Sequence, residues 1–187
     1  MRKANPFESG ERKVIPAVLV YLRCGREVLM VHRNAQGLAE PDFHQGKWNG
    51  LGGKLELEES PAQAAQREFQ EESGIELPLS AFCPVGVLQF PGFKIHKNED
   101  WMVFVFVANL PSDQRFEPKL GLTSEGTLHW VPETEILSLN LWTGDRLFIP
   151  YVLDGKPFFG TIWYENALVV RHSIQSFHSL QPIHSFI

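Results

Sequence analysis

Three carboxylates, Glu68, Glu71 and Glu72, crowd one short stretch of the chain. On a helix at 100° per residue they fall at about 0°, 300° and 40°, inside one arc of about 100°. Glu68 and Glu72 are then a like-charge i,i+4 pair, which costs an isolated helix about 0.2–0.5 kcal/mol. Glu71 and Glu72 also sit near the C-terminal end of the segment, where the helix dipole disfavours anions. Arg67 can pair with Glu71 at i+4, but one arginine cannot neutralise three acids. Such a cluster reads either as a solvated acidic face or as a cation site. Hard divalent cations take oxygen ligands, and Mg²⁺ uses a few carboxylates together with waters and substrate phosphates. A glycine-rich turn at residues 49–54 (NGLGGK) leads toward the same segment and lets the backbone approach such a ligand.

The elements that must position these groups are readable locally. Residues 60–73 predict a helix. Ser60 serves as N-cap, Pro61 suits the first helical position, Gln63 completes an S-x-x-Q capping box, and Gly74 stops the helix. Ala62, Ala65 and Phe69, at i, i+3 and i+7, supply its buried stripe. Strands are expected at 14–22 and 27–32, joined by a turn at Cys24-Gly25, and at 85–90, 101–108 and 127–131. Residues 34–47 read as a loop and 132–137 as a short helix. Residues 143–153 carry a helical pattern that Pro150 would kink or end. Residues 158–164 and 167–171 read as a closing hairpin turning at Glu165-Asn166. Short strands flanked by two helices indicate a mixed α/β domain.

Residues 53–75 read GKLELEESPAQAAQREFQEESGI. This resembles the Nudix box, Gly-x5-Glu-x7-Arg-Glu-U-x-Glu-Glu-x-Gly-U, with U a bulky apolar residue. Gly53, Glu59, Arg67, Glu68, Glu71, Glu72 and Gly74 fill its seven fixed positions. Phe69 stands at the first U, where Leu, Ile or Val is commoner. At average residue usage, a chance match is on the order of one in a million. The resemblance implies a Nudix α/β/α sandwich with a mixed β-sheet, and hydrolysis of a nucleoside diphosphate linked to another group X. It also implies that Glu68, Glu71 and Glu72 ligate Mg²⁺ or Mn²⁺, joined by the Gly52 or Gly53 carbonyl. Arg67 would orient the acids and Glu59 would close the loop–helix geometry. Metals bridging the phosphates would neutralise developing charge and lower the pKa of the attacking water. A general base would take its proton.

The similarity extends further. Residues 47–74 (KWNGLGGKLELEESPAQAAQREFQEESG) and 139–160 (LNLWTGDRLFIPYVLDGKPFFG) are similar to the animal MutT-homologue 8-oxo-dGTP diphosphatases. By matching position, Asn49 would hydrogen-bond the purine edge, and Phe43 and Trp142 would line or stack on the base. Asp145, the second acid of that family's W-P-D-D motif, would accept from purine N–H groups. Glu125 would be a further metal ligand or the general base. Each has a structural alternative: Trp142 as core, Asp145 as a helix cap, Asn49 as a turn former, Glu125 as a loop acid. Two positions depart from the motif, Thr143 for Pro and Gly144 for the first Asp, so one base-reading carboxylate is missing. The 34–44 loop is longer than the family's. Arg33 or Lys54 would contact phosphate, or either is equally a solvated surface charge.

The chain has 187 residues, a formal net charge of −5, and 43% hydrophobic and 12% aromatic residues. This is enough apolar mass for one folded domain and rules out disorder. It is expected at 14–172, between polar tails at 1–13 and 173–187. The acidic balance argues against polymeric nucleic acid as a partner, but not against a small nucleotide held through a metal. Cys24 and Cys83 lack metal-binding spacing. Neither a secretory h-region nor an apolar run of membrane-spanning length is visible. The chain is therefore expected to be cytoplasmic, with no membrane partner and an oligomeric state left open. The leading expectation is a Mg²⁺-dependent pyrophosphohydrolase acting on purine nucleoside triphosphates, oxidised or not. The alternatives are a Nudix hydrolase of a nucleoside diphosphate sugar, dinucleoside polyphosphate or 5′-capped RNA, and a non-catalytic nucleotide sensor.

Overall fold

The structure, a computed structural model, describes residues 5–33, 46–118 and 126–177. Its centre is a parallel pair. β1 (Lys13–Cys24) runs beside β5 (Glu99–Leu110), in register from Lys13 opposite Glu99 to Cys24 opposite Leu110. β4 (Cys83–Lys94) lies antiparallel to β5, and β7 (Phe158–Glu165) runs parallel to β4. β8 (Leu168–Ser176) closes that edge antiparallel to β7. On the other side β2 (Glu27–His32) pairs with β1 only over Leu22–Cys24. Its second edge carries β6 (Thr127–Pro132), and the part that β1 vacates carries the short β3 (Trp48–Asn49). The sheet is mixed, as expected.

Alternation along β1 shows why helices are needed on both faces. Ala17, Leu19 and Tyr21 point into one core with Val103, Val105, Phe148, Ile149 and Val152. Val18, Val20 and Leu22 point into a second core with Ala64, Ala65 and Phe69. A strand buried on both faces needs a cover on each side. α1 (Pro61–Ser73) and α2 (Asp145–Leu153) supply these covers, which gives the α/β/α sandwich.

α1 forms for the reasons its sequence gives. The Ser60 side chain accepts from the Gln63 amide, Gln63 answers on the Ser60 amide, and Gly74 ends the helix in the left-handed region at φ 69°. Ala64 joins Ala65 and Phe69 in the buried stripe, whereas Ala62 is only partly covered. α2 runs through Pro150 without ending there. Burial of Phe148, Ile149 and Val152 against the sheet outweighs the lost amide donor.

Four expectations need correction. Residues 5–12 fold into turns, and Arg12 is pinned on Asp100, so they are not a free tail. β8 continues past residue 172 to Ser176, because an edge strand needs only backbone pairing and its side chains face water. The closing turn centres on Asn166 and Ala167, both at positive φ, as a tight hairpin turn requires. Residues 133–135 make a turn, followed by a single 3₁₀ turn at Ile136–Ser138, in place of a short helix.

Candidate active site

β1 and β2 splay apart beyond Leu22, and the glycine-rich turn fills the opening. Val18 donates to the Gly53 carbonyl (2.8 Å) and Val20 to the Leu51 carbonyl (2.6 Å), while Leu51 donates back to Val20 (3.0 Å). Added side chains would collide here, with backbone at one glycine and with a side-chain end at the next. Gly52 has φ 144°, and a Cβ on it would overlap the Val18 carbonyl. A Cβ on Gly53 would overlap the Glu68 carboxyl. The turn therefore lies against the start of β1 and the acidic face of α1 together.

Arg67 organises that face. Its Nε donates to Glu59 Oε2 (3.1 Å) and its Nη2 to Glu59 Oε1 (2.7 Å) and the Lys54 carbonyl (3.1 Å). The remaining nitrogen, Nη1, reaches Glu68 (2.9 Å) and, less closely, Glu71 (3.3 Å). The Arg67 hydrogen bonds hold the Glu59 carboxyl below its ordinary range, and Glu59, followed by Glu68, raises the Arg67 guanidinium. Arg67 thus pairs first with Glu59, and only secondarily with the Glu71 that helical spacing suggests. Glu72 is buried and accepts from the Gly52 amide at 2.8 Å. Glu71 is the most exposed of the three acids, with 60% of its side chain open.

The three acids and the turn supply oxygen donors of the kind a hard divalent cation takes. As arranged, Glu68 and Glu71 are held by Arg67 and Glu72 by the Gly52 amide. Among the described residues no three acid, histidine or cysteine side chains stand together as a ready metal cluster. The Gly53 carbonyl is committed to Val18, whereas the Gly52 carbonyl accepts no backbone hydrogen bond among the described residues.

A cleft of about 810 Å³ opens beside this loop. Its lining includes Glu68, Gly52 and Gly53 together with the cations Arg33, Lys54 and Lys94. Lys54 and Lys94 lie over the Trp101 ring, with Nζ 5.7 and 4.5 Å from its centre. Burial and the neighbouring cations Lys97 and Lys54 lower the Lys94 ammonium pKa. Aromatic side chains share the lining. Phe93 meets Trp101 (5.8 Å), Trp142 (6.3 Å) and Tyr164 (5.2 Å) edge-on. Asn49 and Asp145 provide polar groups there. The Asn49 side chain also accepts from the Gly50 amide at 3.0 Å, so its turn-forming role is real as well. Burial pushes the Asp145 carboxyl up to about 7, against the opposing pull of Lys47. The Lys47 ammonium lies 5.1 Å over the Trp142 ring and donates to Asn140 at 2.9 Å.

Of the residues singled out in the sequence, the fold brings Asn49, Gly52, Gly53, Lys54, Glu68, Trp142 and Asp145 to this one cleft, with Arg33 beside them. Arg67, Glu59, Glu71 and Glu72 do not line it; Arg67 bonds Glu68 and the Lys54 carbonyl of the lining, Glu72 accepts from the Gly52 amide, and Glu59 and Glu71 are held by Arg67. Phe43 and Glu125 lie outside the described residues. Sequence reasoning missed Phe90, Phe93, Lys94, Trp101 and Tyr164, which line the cleft from β4, β5 and β7. Their signal was an excess of aromatics at strand ends, indistinguishable there from core.

Comparison with known proteins agrees with this arrangement. The NUDIX domain family model matches residues 13–152. The chain is 30% identical over 169 residues to the zebrafish (Danio rerio) oxidized purine nucleoside triphosphate hydrolase, covering 90% of this chain and 97% of that one. It is 29% identical over 159 residues to the mouse (Mus musculus) protein of the same name, covering 85% and 93%. Among solved structures, a MutT protein from Bacillus halodurans superposes with a TM-score of 0.68 at 25% identity, over 86% of this chain and 97% of that one. With its box on α1, its glycine turn against β1 and its two-sided sheet, this chain belongs to the Nudix family and is a hydrolase of pyrophosphate bonds.

Proposed function

We propose that this hydrolase cleaves purine nucleoside triphosphates to the monophosphate and pyrophosphate, with Mg²⁺ or Mn²⁺ as cofactor. One observation carries the reading: a single cleft is lined by the aromatic side chains of Phe93, Trp101, Trp142 and Tyr164, by Asn49 and Asp145, and by the cations Arg33, Lys54 and Lys94 with Glu68 of the box. A purine is a rigid apolar plane with a polar edge, and a triphosphate is a flexible polyanion, so aromatic, polar and cationic groups in one cleft suit the two halves of one molecule. The relatives named for oxidised purine triphosphates support the same substrate class.

The donor set fits the metal. Glu68, Glu71, Glu72 and the Gly52 carbonyl would hold it, and bound there it would neutralise phosphate charge and acidify the attacking water. The chain's own residues do the rest. The fork to Glu59 keeps Arg67 in place, so its third nitrogen can release Glu68 and Glu71 without losing the arginine's position. Lys54 and Lys94 offset triphosphate charge at the cleft wall. Phe93 and Trp142 bound the slot that takes the base, with Phe43 expected beside them. Glu125 is retained as the candidate proton acceptor.

The test is a panel of dGTP, 8-oxo-dGTP, dATP, 2-hydroxy-dATP, dCTP and nucleoside diphosphate sugars with Mg²⁺, reading phosphate against pyrophosphate. Highest kcat/KM on a purine triphosphate with pyrophosphate release is expected. A higher value on a nucleoside diphosphate sugar, or on a dinucleoside polyphosphate added to the panel, would overturn it. Among the described residues no helix is long and apolar enough to cross a membrane.

A further inference from the structure

Gly144 and Tyr164 compete for the same space. A Cβ at Gly144 would overlap the Tyr164 hydroxyl and stand 3.1 Å from its Cζ. Gly144 replaces the first acid of the W-P-D-D pattern, so the place from which a carboxylate would project is filled by a phenol reaching across from β7. The ring cannot swing away freely. Phe90 meets it at 5.9 Å and 81°, Phe93 at 5.2 Å and 64°, and it is 6% exposed. It lines the same cleft as Asn49 and Asp145.

We propose that the Tyr164 hydroxyl is the second base-reading group of this pocket, donating to the 6-oxo oxygen of a guanine-type purine while Asp145 accepts from the adjoining ring and amino N–H groups. This rests on the purine reading above. An ionised carboxylate can only accept, whereas a phenol can also donate. A hydroxyl donor beside the two acceptor oxygens of a carboxylate matches the O6, N1–H and N2–H series of a guanine-type edge, whereas adenine lacks the second N–H on that side. Burial, reinforced by the Asp145 charge, raises the Tyr164 pKa and keeps its proton in place for that bond. The glycine and the tyrosine therefore form one feature: the strand could carry a hydroxyl here only because position 144 has no side chain.

The test compares Tyr164→Phe with the parent chain. Kinetics with Mg²⁺ on dGTP, 8-oxo-dGTP, dATP and dCTP should show kcat/KM falling about tenfold on the two guanine-type substrates, mainly through KM, and less than about threefold on the others. Calorimetric titration with dGMP and dAMP reads the same contact without turnover, and dGMP affinity should fall in the variant while dAMP affinity holds. Equal losses on all bases, no loss, or no dGMP binding by the parent would overturn the proposal. Absence of any triphosphate turnover by the parent would overturn the proposed function alone, because the monophosphate titration still decides the role of Tyr164. A second pair of variants tests the shared space. Gly144→Ala should lower the Tm, and adding Tyr164→Phe should restore part of it; additive losses would show that the two positions do not collide.

Discussion

Arg67 and Glu59 meet as a two-pronged fork, Nη2 to Oε1 at 2.7 Å and Nε to Oε2 at 3.1 Å, across the junction between the glycine loop and α1. A bidentate pair fixes direction as well as distance. The fork leaves one guanidinium nitrogen to bridge Glu68 and Glu71, so the order of the box acids depends on a residue that is not among them.

Replacing Arg67 by lysine keeps the charge and removes the fork. Turnover should fall on the order of 10- to 100-fold, because the acids lose their alignment. Stability should change by no more than about 1 kcal/mol, since this pair is partly solvated and α1 keeps its cap. Steady-state kinetics beside urea unfolding checks both. An unchanged kcat would mean that Arg67 is structural only.

Glu72→Gln isolates the charge from the hydrogen bond. The amide oxygen can still accept from the Gly52 N–H, so the loop should stay docked. Mg²⁺-dependent turnover should fall at least about 100-fold. Mn²⁺ binding followed by electron paramagnetic resonance should weaken in parallel. The exposed Glu71, changed to Gln, should lose metal affinity with stability level or slightly raised, because a like-charged neighbour is gone. A fully active Glu71→Gln protein would identify the acidic arc as solvated surface.

Two neighbouring glycines should fail in different ways. At Gly53 an added methyl meets the end of the Glu68 side chain, which can rotate away, so Gly53→Ala should impair turnover more than folding. At Gly52 the obstacle is the Val18 carbonyl and the backbone stands at φ 144°, so nothing cheap can move. Gly52→Ala should cost at least about 1–3 kcal/mol. Chemical unfolding of both variants, with circular dichroism to confirm the fold, separates the two cases.

The box helix was legible because its signals are local: Ser60, Pro61, Gln63 and Gly74 lie within a few residues of the peptide groups they cap. The central strands were legible from their apolar runs, although their ends were not, because pairing between β1 and β5 extends over residues such as Lys13 and Glu99 that carry no apolar signal. The aromatic slot was not legible beyond Trp142 and the expected Phe43. Phe93, Trp101 and Tyr164 come from three strands, and only the sheet order β5–β4–β7 sets them side by side. The missing acid at Gly144 was visible in the sequence as a loss. That Tyr164 fills the space is a contact between residues on α2's N-cap and β7, and no local pattern encodes it.

Asp145 gives the pH prediction. Its carboxyl rises from 3.8 to about 7 because burial disfavours the charged form. The folded chain therefore holds this proton more tightly than the unfolded chain does. The associated stability is fully present below about pH 4, declines as pH rises toward 7, and is gone above the folded value. Asp145→Asn removes the ionisation while keeping the shape, so its unfolding free energy should lack that slope. Relative to its value at pH 4, the variant should gain on the parent by roughly 2–4 kcal/mol at pH 8. Urea unfolding of both proteins at pH 4, 6 and 8 measures the difference, in which every other titrating group cancels. Parallel profiles would mean that Asp145 is hydrated and ionised in the folded protein, and would leave its carboxylate free to accept from a purine across the whole range.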